Sequence, residues 1–309
     1  MNKLRTYDTF YATESGICIH NLIICKSSTH RYVFHVIKQY FKALKQFIIA
    51  KYSRTGTIIE LDSNEIYLIA HHPWFNYFHW LCESIPRLLN VQENQKELTL
   101  IIPDYIIQES YVKESLAIFT FKAIYVNDGH VLKVPKGIIS PIESYSYVFN
   151  KKSICSIKNL YRTHFGIFLN NSPFRKIYVT RQNATRRKFK NEQEIILLCQ
   201  SFGFEIIHLE STTFEYQVKL FSETACLVSI HGAALTNMLF MSESAKVIEL
   251  YRRKNYIFEH KSKVYQNLAL ALNIKHHEIA CDPINKKDDF FTGDLFANIK
   301  ELEQILKND

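Results

Sequence analysis

The ten residues "SIHGAALTNM", 229–238, mark the change from strand to helix that decides the fold of the C-terminal half. An apolar run, "CLVSI", ends at His231 and Gly232, and a helix-like run follows at once. Gly232 allows a sharp turn and a close approach of the backbone to a ligand. The first amides of the helix, at Ala233 and Ala234, would attract an anion together with the helix dipole. The turn is therefore either an ordinary strand-to-helix connection or a phosphate-binding site.

Strands and helices alternate on both sides of this turn. Four apolar runs, "RKIYVT", "FEIIHL", "CLVSI" and "KVIELY", predict strands, and the amphipathic runs between them predict helices. The helix "EQEIILLCQSF" would follow Asn191, with Glu194 completing a capping-box-like pair, and would end at Gly203. The first half shows the same alternation, from "TIIEL" to "VLKVPKGIIS". This spacing predicts an α/β fold with parallel, doubly wound sheets.

The length of 309 residues predicts more than one core. Two Rossmann-like domains are expected, residues 1–168 and residues 169–309, and the second includes a C-terminal tail helix. The boundary is expected near residues 165–173, around "GIFLNNSPF", where "NNSP" breaks any helix. A ligand would bind in a cleft at the carboxyl ends of the strands.

Composition limits the environment and the partners. Seven cysteines without a C-x-x-C pair favour buried thiols in a reducing, cytoplasmic compartment over a zinc site or disulfides. No apolar run is long enough to span a membrane, and the N-terminus lacks the apolar segment of a signal peptide. The protein is thus expected to stay where it is made. A net charge of +8 indicates an anionic partner: nucleic acid, an anionic membrane surface or a phosphorylated small molecule.

A basic stretch, residues 181–190, follows the strand "RKIYVT" and contains no acidic residue. In a doubly wound sheet it would project at the same carboxyl edge as His231. The candidates for binding a diphosphate are Arg181, directly after the strand, and one of Arg186 and Arg187, because an arginine can bind two oxygens at once. The alternative is a solvated surface loop.

Two further polar residues follow in the same half. Asn237, one turn after Gly232, could join His231 in hydrogen bonds to a phosphate or a base. Glu249 lies near the end of the strand "KVIELY", where a carboxylate could bind the hydroxyl pair of a ribose. A strand residue that faces solvent is the alternative for Glu249.

The stretch "HHPWFNYFHWLCESIPRLL", residues 71–89, holds the candidate acid–base residues. His79 and Glu83 are four residues apart and would share one face of a helix. Pro86 lacks an N–H and would clash with the carbonyl of Cys82, so the helix should kink or restart there. The pair is either part of a catalytic edge or the polar face of an amphipathic helix that only contacts water.

Several well-known signatures are absent from the sequence. Neither G-x-x-x-x-G-K-[ST] nor G-x-G-x-x-G occurs, which excludes a P-loop and the usual dinucleotide fingerprint. No D-x-D stands at the end of a predicted strand, so a metal-held diphosphate is not indicated. The G-x-S-x-G elbow of the α/β-hydrolases is missing too.

Three blocks, in this order, resemble glycosyltransferase family 61: "NYFHWLCESIPRL" (76–88), "IYVTRQNATRRKFKNEQEI" (177–195) and "VSIHGAALTNMLFMSESAKVIEL" (228–250). The family includes bacterial capsule and lipopolysaccharide enzymes, plant xylan xylosyl- and arabinosyltransferases and animal protein O-GlcNAc transferases, and this chain looks like a bacterial version. The resemblance implies a GT-B fold, in which two Rossmann-like domains face a central cleft and the C-terminal domain holds a nucleotide sugar. It also implies inversion at the anomeric carbon without a bound metal or another cofactor.

The resemblance assigns roles to the candidate residues. Without a metal, fixed cations and amides must stabilise the charge on the departing diphosphate. The donor-binding residues expected on this basis are Arg181, Arg186, His231, Gly232, Ala233, Ala234 and Asn237. Glu249 is expected as a donor-binding residue too, as a ribose ligand, and this role rests on the general GT-B pattern more than on the family. Glu83 is the first choice for the base that deprotonates the acceptor hydroxyl, and His79 is the second.

The expected function is therefore the transfer of a sugar from a nucleotide-sugar donor, with UDP as first choice, to a saccharide or lipid-linked saccharide in capsule or lipopolysaccharide synthesis. The enzyme would be cytoplasmic, and its positive charge could hold it at the inner face of an anionic membrane. Nucleic acid is not expected as a partner, because Phe189 is the one aromatic residue of the basic stretch. The alternative is a non-catalytic nucleotide- or nucleic-acid-binding protein on the same fold.

Overall fold

The computed structural model describes residues 4–29, 33–54, 56–71, 74, 76–92, 97–127, 129–142, 148–168, 172–253, 262–288 and 292–308. The chain divides into two compact units, Met1–Tyr145 and Ser146–Asp309, called here the N-terminal unit and the C-terminal unit. Each unit combines one β-sheet with helices. The α/β class that the alternation of strands and helices predicts is therefore confirmed.

The sheet of the N-terminal unit is mixed. Its strands in the described residues are β1 (Arg5–Thr13), β2 (Cys18–His20), β3 (Ile23–Ile24), β4 (Thr57–Glu60), β5 (Tyr67–Ile69), β6 (Thr99–Pro103), β7 (Lys122–Val126) and β8 (His130–Ile139). Their order is β3-β2-β1-β8-β5-β6-β7, and β4 also pairs with β8. The strands β4 to β8 pair in parallel, whereas β1 pairs antiparallel with both β2 and β8.

This sheet differs from the parallel, doubly wound sheet predicted for the first half. The difference arises in residues 5–24, which form β1, β2 and β3. A short turn, in which Gly16 has φ +75, joins β1 to β2, and a short turn can join only antiparallel strands. The strands recognised in the sequence, β4 to β8, form the parallel part.

The helices of the N-terminal unit include the predicted break at Pro86. In the described residues they are α1 (Val33–Tyr52), α2 (Tyr77–His79), α3 (Ile85–Gln92), α4 (Asp104–Ile107) and α5 (Ser110–Leu116). A π-helical turn, Trp80–Ser84, joins α2 to α3. Pro86 cannot donate to the carbonyl of Cys82, and the N–H of Ile85 reaches back five residues to Trp80. Glu83 therefore lies inside the π turn.

The sheet of the C-terminal unit is parallel except at one edge. Its strands are β9 (Arg175–Val179), β10 (Glu205–Ile207), β11 (Thr224–Ile230), β12 (Lys246–Arg252), β13 (Lys275–Pro283) and β14 (Leu295–Phe296), in the order β10-β9-β11-β12-β13-β14. Only β14 pairs antiparallel among them. The chain runs from β9 to β10 on one side and returns to β11 on the other. The carboxyl ends of the neighbouring strands β9 and β11 therefore form a topological switch point, where open α/β sheets bind their ligands.

The helices of the C-terminal unit show why the chain divides before residue 168. In the described residues they are α6 (Lys151–His164), α7 (Glu192–Ser201), α8 (Phe214–Ser222), α9 (Val264–Leu272), α10 (Ile299–Lys307) and a 3₁₀ helix, Ala233–Phe240. The buried Tyr161 of α6 packs edge-to-face on Phe214 and Phe240, with ring centroids 4.9 and 6.3 Å apart. Because α6 contributes to this core, the division after Tyr145 falls earlier than the predicted boundary at 168/169.

Asn191 precedes α7 as predicted, but its side chain does not cap the helix. The amide oxygen of Asn191 accepts a hydrogen bond from the N–H of Ala297 at 2.9 Å, and the amide nitrogen donates to the carbonyl of Ala297 at 3.1 Å. The predicted capping-box pair of Asn191 and Glu194 is therefore wrong. Asn191 instead anchors the C-terminal tail, residues 292–308, to the start of α7. The tail helix α10 packs within the C-terminal unit, where Leu302 and Leu306 join the core.

Candidate active site

The predicted donor-binding residues start from neighbouring positions at the switch point. β9 and β11 pair in parallel, with Val179 opposite Ser229. Two residues later, the chain reaches Arg181 on one side and His231 on the other. The prediction that the basic stretch and the His-Gly turn share one carboxyl edge is therefore confirmed.

Glu192, which the sequence analysis missed, fixes the start of the basic stretch. One carboxylate oxygen of Glu192 accepts hydrogen bonds from the hydroxyl of Tyr178 at 3.0 Å, the hydroxyl of Thr180 at 2.7 Å and the backbone N–H of Arg181 at 2.7 Å. Glu192 is buried at the start of α7. The end of β9 and the first turn of α7 are thereby tied together. The sequence signal that could have revealed Glu192 is an acidic residue in the first turn of a helix that follows a basic stretch.

Arg181 and Arg187 are two close, largely desolvated cations. Each has a buried Nε–H that finds no hydrogen-bond partner within the described residues. Burial lowers the pKa of both guanidinium groups, and the positive charge of Arg181 lowers the pKa of Arg187 further. Arg181 also donates to the carbonyl of Arg186 at 2.8 Å. Two half-buried cations, each with a buried and unused Nε–H donor, favour an anion between them or beside them.

Arg187, and not Arg186, is the arginine beside Gly232. Nη2 of Arg187 lies 3.0 Å from the position that a Cβ on Gly232 would occupy. The side chain of Arg186 is exposed. The sequence left both arginines open and favoured Arg186, because spacing alone cannot show which side chain turns inward. Arg186 as a donor ligand stays a prediction.

The tail holds the basic stretch in place, so the stretch is not merely a solvated loop. The N–H of Arg187 donates to the carbonyl of Thr292 at 3.0 Å, and the N–H of Lys188 donates to the carboxylate of Asp294 at 2.9 Å. Arg187 has φ +56, in the left-handed region that costs a residue with a Cβ about 1–2 kcal/mol. Phe189 is buried in the core of the unit. Contacts from the tail thus hold Arg187 in an unfavourable backbone conformation.

Gly232 provides space rather than an unusual backbone angle. Its φ of 165° is extended backbone that any residue can adopt. The N–H of Leu235 donates to the carbonyl of Gly232 at 3.0 Å and closes the first turn of the 3₁₀ helix. The backbone N–H groups of Ala233 and Ala234 lie before the first hydrogen bond of the helix, so they belong to the first turn, whose N–H groups have no partner within the helix. The predicted α-helix after Gly232 is therefore a 3₁₀ helix, with its amides still at the carboxyl edge.

His231 belongs to a buried triad that the sequence did not reveal. Its Nδ1 donates to one carboxylate oxygen of Glu249, and Nε2 of His276 bonds to the other oxygen at 2.8 Å. The ring of His231 packs edge-to-face on Tyr251 and Tyr265, with centroids 4.8 and 5.1 Å away. With Nδ1 engaged, Nε2 is the nitrogen of His231 left for a ligand.

Glu249 is buried, so the solvent-facing alternative is wrong. Burial by itself would raise the pKa of Glu249, but the hydrogen bonds and positive charge of His231 and His276 outweigh burial and lower that pKa. Both carboxylate oxygens therefore bind histidines. The role of Glu249 as a ribose ligand stays a prediction, and the geometry adds a positioning role towards His231.

Asn237 lies on the inner side of the 3₁₀ helix. It is 1 % exposed, and its side-chain amide donates to Gln217 of α8 at 3.0 Å. This bond joins the 3₁₀ helix to α8 behind the His-Gly turn. A contact of Asn237 with a donor stays a prediction.

His79 and Glu83 form a hydrogen-bonded pair in the N-terminal unit. Nδ1 of His79 lies 2.7 Å from a carboxylate oxygen of Glu83. Glu83 is fully buried, whereas the side chain of His79 is 17 % exposed. The ring of His79 stacks on Trp74, with centroids 5.5 Å apart. The alternative of a polar face that only contacts water is therefore wrong, because the carboxylate has no access to water.

Arg87, also missed in the sequence, ties the same helix to the sheet. Its guanidinium donates to the carbonyl of Ser140 at 2.6 Å and to the carbonyl of His71 at 2.9 Å. Burial lowers the pKa of Arg87 to about 9, which leaves it charged at neutral pH, and the nearby carboxylate of Glu83 favours the charged form. Arg87 thus joins α3 to the ends of β5 and β8, next to the π turn.

The described residues contain neither a candidate membrane-spanning helix nor a candidate metal site. Across the described ranges, no helix has both the length and the apolar character needed to cross a bilayer. The described side chains of His, Cys, Asp and Glu form no group of three that could hold a metal ion. Metal-independent catalysis stays a prediction.

An α/β unit with two half-buried arginines and a glycine turn at its switch point is a candidate nucleotide-binding unit. The chain belongs to glycosyltransferase family 61: the family profile described as "Glycosyltransferase 61" matches residues 77–248. The matched region begins two residues before His79 and contains Glu83, Arg181 and Gly232. The family membership predicted from the three sequence blocks is therefore confirmed.

Similar proteins carry the name protein O-linked-mannose beta-1,4-N-acetylglucosaminyltransferase 2. The protein of Takifugu rubripes is 39% identical over 71 residues, which is 22% of this chain and 12% of that protein. The proteins of Mus musculus and Homo sapiens are each 41% identical over 68 residues, 21% of this chain and 12% of theirs. The similarity thus spans about an eighth of the length of these relatives.

Proposed function

We propose that this chain is an inverting glycosyltransferase that uses a nucleoside diphosphate sugar and needs no bound metal. The observation that carries the proposal is the pair of half-buried arginines, Arg181 and Arg187, whose buried Nε–H donors have no partner in the described residues. In a folded protein such donors are costly unless water or a ligand engages them, and the charge of the guanidinium groups favours an anionic ligand. A diphosphate offers several anionic oxygens within one small volume and suits both arginines.

The His-Gly turn completes the proposed diphosphate site. The absence of a side chain at Gly232 leaves room for Arg187. The amides of Ala233 and Ala234 and the Nε2 nitrogen of His231 would add donors at the same edge. Fixed donors of this kind stabilise charge that develops on a leaving group, because they need no reorganisation during the reaction.

The His79–Glu83 pair supplies the base in this proposal. The acceptor oxygen forms a bond to the anomeric carbon, the bond from that carbon to the diphosphate oxygen breaks, and the acceptor proton passes to the pair. Since Glu83 is fully buried and His79 is partly exposed, the burial favours His79 as the group that meets the acceptor. Glu83 would then orient His79 through Nδ1 and stabilise its charged form. The sequence favoured the reverse assignment.

The substrates remain those expected from the sequence, with one addition. UDP is the first nucleotide to test, and a saccharide or lipid-linked saccharide of a capsule or lipopolysaccharide is the acceptor. The name of the relatives adds N-acetylglucosamine as the first sugar to test. A GT-B arrangement of the two units and a cytoplasmic location belong to the same proposal.

Nucleotide binding tests the donor site. Calorimetry with UDP, GDP, CMP and their sugars, with and without EDTA, should show one preferred nucleotide and no effect of EDTA. Arg181→Ala and Arg187→Ala should each weaken binding about tenfold or more, because each removes charged hydrogen bonds. Lys190→Ala is the matched control on the same stretch, since its ammonium is exposed and lies 3.7 Å from Asp294. Equal losses in all three variants would contradict the site.

Activity of purified variants tests the base. Glu83→Gln and His79→Gln should lower kcat about a hundredfold or more while nucleotide affinity stays unchanged. Normal activity in both variants would refute the pair. Salt-sensitive binding to any polynucleotide, without saturable binding of a nucleotide, would favour the non-catalytic alternative.

A further inference from the structure

The outer face of α1 (Val33–Tyr52) carries an unusual set of side chains for a surface helix. From residue 37 to residue 52, every exposed position is either a large apolar residue or a lysine. The exposed apolar residues are Ile37, Phe41, Ile48, Ile49 and Tyr52, with exposed fractions from 44% to 73%. Polar uncharged residues and acidic residues, both common on surface helices, are absent from these exposed positions.

The opposite face of α1 fixes the orientation of the helix. Ala43, Phe47 and Ala50 are buried, and Phe47 and Ala50 share a core cluster with Ile19 and Val131 of the sheet. A helix whose inner face is packed in this way cannot rotate to hide its outer face. The exposed apolar residues are therefore a permanent feature of the N-terminal unit.

Four of the five exposed apolar residues form one stripe with lysines on both sides, and Ile49 lies on the flank that carries Lys38 and Lys42. Ile37, Phe41, Ile48 and Tyr52 are spaced by four, seven and four residues, which places them on one side of an α-helix. The helix carries four lysines, at positions 38, 42, 45 and 51, and no acidic residue. By the helical repeat, Lys38, Lys42 and Lys45 lie on one flank of the stripe and Lys51 on the other. An apolar stripe bordered by cations matches the interface of an anionic bilayer.

We propose that α1 docks the protein on anionic lipid membranes, with the helix lying in the plane of the bilayer surface. Ile37, Phe41, Ile48 and Tyr52 enter the boundary between head groups and acyl chains, and the lysines contact anionic head groups. A second copy of the same face is a poor partner, because it brings the positive charges of Lys38, Lys45 and Lys51 besides that of Lys42, which lies 3.8 Å from Glu14. The proposal does not depend on the proposed function, although a lipid-linked acceptor would be concentrated at such a surface.

Vesicle binding by the full chain tests the proposal. The probes are vesicles of phosphatidylcholine alone and of phosphatidylcholine mixed with phosphatidylglycerol, in a flotation assay at low and high salt. The protein should bind the mixed vesicles at least about tenfold more tightly, and high salt should weaken that binding. Phe41→Ser/Ile48→Ser and Lys38→Glu/Lys45→Glu should each weaken binding about tenfold or more.

Matched controls separate docking from general effects of charge or apolar surface. Leu270→Ser removes an apolar side chain that is 78% exposed in the C-terminal unit, and Lys300→Glu reverses an exposed charge on α10. Both should bind vesicles like the unchanged protein, and melting curves should show that all variants fold. No binding to the mixed vesicles, or equal losses in the α1 variants and the controls, would overturn the proposal. So would dimerisation in light scattering that the α1 variants abolish without any vesicle binding. Calorimetry with nucleotides, run in parallel, reports on the donor site independently.

Discussion

Gly232 and Gly203 lead to opposite predictions at the scale of single residues. At Gly232 the backbone is extended and a Cβ would meet only the end of the Arg187 side chain at 3.0 Å. Gly232→Ala should therefore leave stability nearly unchanged but displace the guanidinium, with nucleotide affinity about tenfold weaker by calorimetry. Gly203 has φ +79 and open space around it. Gly203→Ala should lower the free energy of unfolding by about 1 kcal/mol and leave affinity unchanged. The reverse pattern would contradict the role given to Gly232.

Glu249 leads to a prediction about acid stability. Its folded-state pKa is lowered by His231 and His276, so its charge stabilises the fold above the ordinary value of 4.5. That contribution is lost as the pH falls through the lowered folded-state pKa, because protonation then favours the unfolded chain. Glu249→Gln removes this titration, so urea unfolding of the variant should depend less on pH in the acid range. If the free energy of unfolding fell equally with pH in the unchanged protein and in Glu249→Gln, Glu249 would contribute nothing to acid unfolding.

At the scale of elements, the attachment of the tail to α7 can be tested at Asn191. Asn191→Ala leaves the buried N–H and carbonyl of Ala297 without these partners, which should cost about 1–3 kcal/mol in the free energy of unfolding. Glu194→Ala is the matched control, because Glu194 is exposed and would matter only in a capping box. Its cost should be within about 0.5 kcal/mol. Denaturant curves that showed the opposite ranking would restore the capping box.

The π turn and the tail show how elements place the candidate site residues. Pro86 interrupts the α-helical bonding, and the resulting π turn contains the buried Glu83. The tail gives a carbonyl to the N–H of Arg187 and a carboxylate to the N–H of Lys188. The π turn thus carries one of the proposed catalytic residues itself, whereas the tail contributes no proposed donor-binding group and acts by holding the backbone of Arg187 and Lys188.

At the scale of the whole molecule, the two units should respond differently to a nucleotide. A ligand at a hundred times its Kd stabilises the state that binds it by about 2.7 kcal/mol. If the donor site lies in the C-terminal unit, hydrogen exchange should slow most at residues 181–187 and 231–235 and across β9 and β11. Exchange in β1 to β8 should change less. Protection concentrated in the N-terminal unit would place the nucleotide site there.

Much of the architecture and of the candidate site could be predicted because the deciding signals are local. The runs around His231 and Gly232 predict a strand, a turn and a helix from neighbouring residues alone. The spacing of His79 and Glu83 predicts their contact, because residues four apart share a helix face. A proline predicts the broken helix at Pro86, because it lacks a donor wherever it occurs.

Tertiary structure decided the rest, because the deciding partners are distant in sequence. Arg187 rather than Arg186 turns towards Gly232, and its backbone is fixed by Thr292, more than a hundred positions later. Glu249 is enclosed by His231 and by His276 on the next strand, so a residue read as a ribose ligand also positions a histidine. Hydrophobic periodicity reports which face of an element is buried. It does not report which distant polar group will meet that face, because only the packed chain brings the two together.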